Sequence, residues 1–281
     1  MKRIISVTAV LLLLCAVLCS CDISDMTGGS LKITYKSEGD GLTVTGVPDN
    51  ATIPEIVIPD EYDGKPVVAI ADFSMVNLEN VTKITIGKNV SEIGLWAMEN
   101  NKKVTAIEVD EENEYFCDVD GVLFSKDMKT LIFYPMARAA ADTTDENGSR
   151  IKSISYAIPE GVECVRTKAF YKCSDIRELT LPSTLKAIEE KAFFRCSISE
   201  ILLPEGLEEI GKDAFAYTGL KTIDIPASVK TVGEYAFYNC TSLLEINVGS
   251  PEEELTLGDK WYPTNNGLNI SELVISWAEK A

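Results

Sequence analysis

The sequence predicts a repeat solenoid, a stack of similar turns with one short parallel β-strand per turn and a cap at each end. Three features carry that expectation. An apolar-Pro dipeptide recurs at Ile158-Pro159, Leu181-Pro182, Leu203-Pro204 and Ile225-Pro226, with Val248-Gly249 after them. An Ala-Phe dipeptide keeps the same step, 22 or 23 residues, at Ala169-Phe170, Ala192-Phe193, Ala214-Phe215 and Ala236-Phe237. Cysteine follows that Phe by three residues as Cys173, Cys196 and Cys240, with Thr218 in the remaining unit. Markers in phase at this period signify stacked units that share one core.

Each unit reads L-x-x-I-x-I-P, then V-x-x-I, then A-F, as in Leu220, Ile223, Ile225 and Pro226 followed by Val229 and Val232. Alternation over Ile223 and Ile225 predicts a strand with one buried face. Proline ends it, because it has no N–H to give to a ladder. About 22 residues cannot enclose a core alone, so the apolar positions must be buried between neighbouring units. Earlier units are more degenerate. Ile84-Thr85-Ile86-Gly87 and Ile93-Gly94 fit the pattern, with Ala97-Met98 for Ala-Phe, and Val104 to Val109 supplies another strand. Ile56 to Pro59 and Asp72-Phe73 read as the first unit.

The repeat domain is expected to span 31–250. Residues 31–52 form an N-terminal cap, 110–150 a hairpin and loop insertion, and 151–250 the regular repeats. In the insertion, Gly121 to Ser125 and Thr130 to Tyr134 flank a four-residue turn, and a polar loop follows from 138 to 150. Asp118-Val119-Asp120-Gly121 resembles the start of a calcium loop but lacks its closing Glu, and reads as turn chemistry. Residues 251–281 lack the repeat and are expected to cap the last unit.

The N-terminus reads as an address. Lys2 and Arg3 precede an apolar run from Ile4 to Leu18, a secretory signal over 1–20. That run is shorter than the ~20 residues a membrane-crossing helix needs. Leu18-Cys19-Ser20-Cys21 resembles the bacterial lipobox, which implies diacylation of Cys21 and a spacer over 21–30; ordinary cleavage near Ser20 is the alternative. Two acyl chains hold a protein stably on a bilayer, so contact with the membrane is expected only through the anchor.

Composition narrows the function. The formal charge is −18; losing Lys2 and Arg3 leaves 24 basic against 44 acidic residues, or −20. Such a field repels phosphate backbones, so no nucleic acid is expected as a partner. The chain has no histidine, which removes the usual general base and the commonest metal ligand. Neither an enzyme, a cofactor nor a metal is expected. The cysteines Cys117, Cys164, Cys173, Cys196 and Cys240 include no CxxC pair. Cys173 and Cys196 on adjacent turns would stand ~5 Å apart. With side chains pointing the same way they are expected to pack as free thiols.

The L-x-x-I-x-I-P, I-G-x-x-A-F and trailing Cys pattern, with the stretch from Asp120 to Pro135, resembles the BspA-like leucine-rich-repeat family of bacterial surface proteins. The resemblance covers roughly residues 53 to 250. It implies a right-handed leucine-rich-repeat solenoid, with short parallel strands on the concave face and an irregular or short-helical convex side. It also implies an extracellular setting and a role in adhesion or recognition. It brings no catalytic residues.

On the strand face, the residues flanking the second Ile point outward. That nominates Glu178, Thr180, Glu200, Leu202, Thr222, Asp224, Glu245 and Asn247 as candidate ligand contacts. Their acidic stripe suits a basic patch on an extracellular protein of a host or neighbouring cell, although exposed strand positions also need charge for solubility alone. Glycan capture and a structural envelope role are the alternatives. The face lacks the aromatic side chains that anchor sugars. Tyr171, Phe194, Tyr217 and Tyr238 follow the Ala-Phe positions and are expected on the outer side, as a strip or as a shield for the core.

Overall fold

The computed structural model describes residues 32–48, 52–138, 154–264 and 273–279; the proposed signal, Cys21 and most of the polar loop lie outside them. The chain winds as a β-solenoid of about nine turns with almost no helix. The expected strand appears in most turns, at Glu55–Ile58, Lys83–Ile86 and Ala106–Val109 in the first block. It recurs at Ile154–Ala157, Ile176–Thr180, Thr222–Ile225, Glu245–Val248 and Val274–Trp277 in the second. Successive strands pair parallel with the repeats in phase, so that Ile223 faces Ile246 and Ile246 faces Ile275. The turn around Leu202 contributes no strand to this row and has one residue fewer between Cys and the apolar-Pro position than the turn before it.

One strand per turn is too few. V-x-x-I supplies a second, two-residue strand, at Cys164–Val165, Ala187–Ile188, Glu209–Ile210, Thr231–Val232 and Thr256–Leu257, also paired parallel. A third column of backbone bonds runs through the Ala-Phe turns, from Phe170 N to Ala192 O (2.9 Å), Phe193 N to Ala214 O (2.9 Å) and Phe215 N to Ala236 O (2.8 Å). Most turns are thus tied to the next along three lines, and the turn around Leu202 lacks the long-strand line.

The outer side has no α-helix among the described residues; helical geometry among them is confined to the short 3₁₀ piece Glu252–Glu254. Each corner instead uses two residues in the left-handed region: Lys168, Lys191, Asp213 and Tyr235 before the Ala, and Lys172, Arg195, Tyr217 and Asn239 two residues after the Phe, all with φ between +53° and +61°. Those bends turn the chain inward on both sides of the buried Phe, where a helix would carry it past the neighbouring turn. The same backbone signature corrects the first unit. Phe73 (φ +56°) takes the bend position and is 49% exposed, while Ser74 and Met75 occupy the Ala-Phe places and are buried.

Phe170, Phe193, Phe215 and Phe237 stack with centroids 5.2, 5.3 and 5.5 Å apart, continued at one end by Tyr134 and at the other by Trp261. This core covers the second block only. A separate one, built around Ile56, Ile84 and Ile107, fills the first. The insertion stands between them. Val122–Ser125 pairs antiparallel with Thr130–Phe133, and a strand not foreseen in the sequence, Phe116–Val119, pairs with its other edge. Asp120 (φ +50°) and Gly121 (φ +78°) make the connecting turn, the geometry that Asp-Gly favours in two-residue hairpins. Because strand side chains alternate, the sheet faces both ways. Val122, Phe124 and Leu131 enter the second core, and Leu123 and Ile132 the first.

Candidate functional site

The long strands carry six of the eight nominated residues, and Glu200 and Leu202 lie in the turn without a strand. Ile223, Ile225, Ile246 and Val248 are buried, so the residues between them face solvent. Glu178, Thr180, Glu200, Leu202, Thr222, Asp224 and Glu245 are exposed, and Asn247 is half-buried. Parallel register sets Thr222 beside Glu245 and Asp224 beside Asn247. The Asn247 amide donates to Asp224 Oδ1 (2.9 Å) and Glu245 Oε1 (3.0 Å), tying three of the eight together.

Charge on this face changes along the solenoid. In the first block Lys83 lies 3.3 Å from both Glu55 and Glu108, which offsets one of the two carboxylate charges. In the second, Glu178, Glu200, Asp224 and Glu245 form no ion pair among the described residues. Exposed apolar side chains interrupt the carboxylates: Leu202 is 79% exposed, and Leu244 and Val274 about half. A rigid surface with unneutralised carboxylates around exposed aliphatic groups can accept a basic, partly apolar patch.

Several carboxylates of the adjoining row of short strands are paired. Glu163 pairs with Lys129 (3.0 Å) and Lys186 (2.7 Å), and Glu208 pairs with Lys230. The outer aromatic residues do form a strip. Tyr171, Phe194, Tyr217 and Tyr238 follow one another at 5.2, 5.2 and 5.6 Å, with the Arg195 guanidinium 4.8 Å from the Tyr217 ring.

The cysteines among the described residues, Cys117, Cys164, Cys173, Cys196 and Cys240, are free thiols. Burial pushes the Cys240 thiol up to about 11 and the Cys173 and Cys196 thiols up as well, so the column is protonated at neutral pH. No grouping of His, Cys, Asp or Glu among the described residues could hold a metal ion, and no helix among them is long and apolar enough to cross a membrane.

One constellation is absent from the nominated set. Where the first block meets the second, Lys168 bonds Glu99 at 2.7 Å with its ammonium 4.2 Å from the Trp96 ring centre. Beside it, Arg166 donates to Ile93 O at 2.8 Å, and burial draws its guanidinium below its ordinary value. A signal for it was present in the sequence. Arg166 stands where Gly94, Gly211, Gly233 and Gly258 stand in other units, after the buried residue of the short strand. At those glycines a Cβ would meet the preceding turn at 2.1–2.7 Å. The departure from glycine at 166 is a partial signal, since Glu189 stands at the same step with the Cys164–Val165 strand paired beside it.

The model of the BspA type leucine rich repeat region matches six copies over residues 49–126 and 147–262. No curated protein matches. Among solved structures, the pneumococcal vaccine antigen PcpA superposes with a TM-score of 0.60 at 26% identity, over 76% of this chain and 58% of that one. A leucine-rich-repeat protein from Eubacterium ventriosum gives 0.48 at 16% identity, over 76% and 78%. This chain thus spans little more than half of the pneumococcal antigen. Six tandem matches over most of the length, on a solenoid whose turns keep the same apolar positions, establish that the chain belongs to the BspA-type leucine-rich-repeat family.

Proposed function

We propose that this is a lipid-anchored bacterial surface protein whose long-strand face binds a basic patch on an extracellular protein. The supporting observation is the run of unneutralised carboxylates at Glu178, Glu200, Asp224 and Glu245 beside the exposed Leu202 and Leu244. Columns of backbone bonds hold the turns on either side of Leu202 in register, so little ordering entropy opposes binding there. Its likeness to a pneumococcal vaccine antigen supports a surface setting.

The test is a binding screen of the purified chain against extracellular-matrix proteins, mucins and glycans at low and physiological salt. The expected result is a saturable protein ligand, weakened by salt as the Debye length shrinks toward ~8 Å. Charge reversal at Glu178, Glu200 and Asp224 should weaken it by roughly tenfold or more. Binding indifferent to those reversals, or confined to glycans, would reject the reading. The anchor is tested in cells: Cys21→Ala should abolish fatty-acid labelling and release the protein from membranes, and unchanged labelling would reject it.

A further inference from the structure

Along the row of short strands, each turn passes its carbonyl to an amide of the next. Ile70 O accepts from Gly94 N (2.8 Å), Val165 O from Glu189 N (2.9 Å), Ile188 O from Gly211 N (2.7 Å) and Val232 O from Gly258 N (2.7 Å). Among the described residues the row breaks at one place, after Glu92–Ile93. There Ile93 O accepts from the Arg166 guanidinium, 73 residues further along the chain. A side chain occupies the place of a backbone amide.

Glu92–Ile93 ends the sheet of the first block, and Phe116–Val119 ends the eight-stranded sheet. Residues of both line a cleft of about 590 Å³, within the size range of binding sites. Ser91, Thr43 and Thr130 supply polar groups, and the charges are Glu38, Asp72 and Glu92 against Arg166 alone. Glu38 is paired with Lys36 at 2.6 Å, whereas Glu92 and Asp72 have no ion pair among the described residues. Arg166 makes one hydrogen bond there with a group that has five N–H donors.

We propose that this cleft takes an extended basic peptide segment, which adds to the Glu92–Ile93 edge as the missing turn. An amide of the peptide donates to Ile93 O and displaces the Arg166 guanidinium, which then donates to a peptide carbonyl. The exchange conserves hydrogen bonds, so it costs little. Lysine or arginine side chains of the peptide meet Glu92 and Asp72, and an acidic peptide is repelled by the same groups. Main-chain pairing gives affinity and the carboxylates give selection. This site is separate from the strand-face reading and stands or falls without it.

The experiment is a titration of the purified chain with a short, end-capped, fluorescent peptide alternating lysine and valine. Its controls are a twin with proline at the central valine and another with glutamate for lysine. Saturable binding of the first peptide is expected, with a loss of roughly tenfold or more for each twin, equivalent to about 1.4 kcal/mol. Glu92→Lys, at an exposed position that leaves the core intact, should reduce affinity similarly, and Arg166→Lys should reduce it less. Glu178→Gln with Glu200→Gln should leave it unchanged. Equal binding of the proline twin would overturn the strand addition. Indifference to Glu92→Lys, or sensitivity to the Glu178 and Glu200 pair, would overturn the location, and preference for an oligosaccharide probe over the peptide would overturn the ligand class.

Discussion

Three residues past the buried Phe of a turn stands a side chain that donates to the turn before it. The Cys196 thiol reaches Phe170 O at 3.0 Å, and the Cys240 thiol reaches Phe215 O at 3.1 Å. In the first block the same step from Met98 leads to Asn101, whose amide donates to Met75 O at 2.8 Å and to Met98 O at 3.0 Å. Its oxygen accepts from Leu78 N at 2.9 Å. Thr218 keeps a polar atom in the column, 3.2 Å from the Cys240 sulfur. In the second block these corner carbonyls also accept a backbone amide of their own turn, Cys173 N to Phe170 O at 3.0 Å and Thr218 N to Phe215 O at 3.3 Å. In the first block the Asn101 side chain takes that place at Met75 O and Met98 O, where burial makes an unsatisfied carbonyl costly. Asn101→Leu keeps the volume and removes the donors. Three buried backbone groups lose their partner, so unfolding free energy from urea titration should fall by about 3 kcal/mol or more; a loss under about 1 kcal/mol would show that these groups find other partners. The recurring cysteine was legible in the sequence, but its role was not. Read alone it looks like a small hydrophobe, and only its alignment with Asn101 reveals the shared donor.

At the scale of elements, what the sequence showed depended on length. The long strand carries alternating Ile residues ended by Pro, and its exposed face could be named residue by residue. A two-residue strand has no period to read, so nothing in the V-x-x-I segment marks it as a strand. Its one legible mark is the glycine after the Ile, and that glycine reports how closely the turns approach. At Gly233 a Cβ would stand 2.4 Å from Lys212 N and 2.5 Å from Gly211 C, both backbone atoms that cannot step aside. Gly206, in the Pro204-Glu205-Gly206 turn, has its nearest neighbour at 3.6 Å, an ordinary contact. Gly233→Ala should therefore lower stability by about 1–3 kcal/mol through forced separation of two turns. Gly206→Ala should change it by no more than about 0.5 kcal/mol. Equal melting temperatures for the two variants would mean that the turns can spread at little cost. The rule does not run in reverse, since Glu189 and Arg166 both take this step while their amides still bond the preceding strand, to Val165 O and Leu131 O.

Across the whole molecule, the inserted sheet makes one solenoid into two stacks. Turns in a repeat protein are coupled only to their neighbours, and here the coupling between blocks passes through the two faces of a single sheet, the Lys168–Glu99 pair and the Arg166–Ile93 bond. Within each block every turn is joined to the next by backbone ladders and shared core. Cutting one core should thus weaken its own block more than the other. Ile84→Ala removes a fully buried side chain from the first core, a change that costs about 2–5 kcal/mol. Hydrogen exchange under native conditions should then quicken in peptides from 52–109 while those from 176–248 keep their protection. Ile223→Ala, in the second core, should give the reverse pattern. If either substitution quickened exchange equally along the whole chain, the inserted sheet would be transmitting stability as fully as a regular turn. The cleft at the junction would then have to open only with global unfolding. If the two patterns separate, the junction is the weakest seam of the solenoid, and a strand added to the Glu92–Ile93 edge should close that seam and slow exchange on both sides of it.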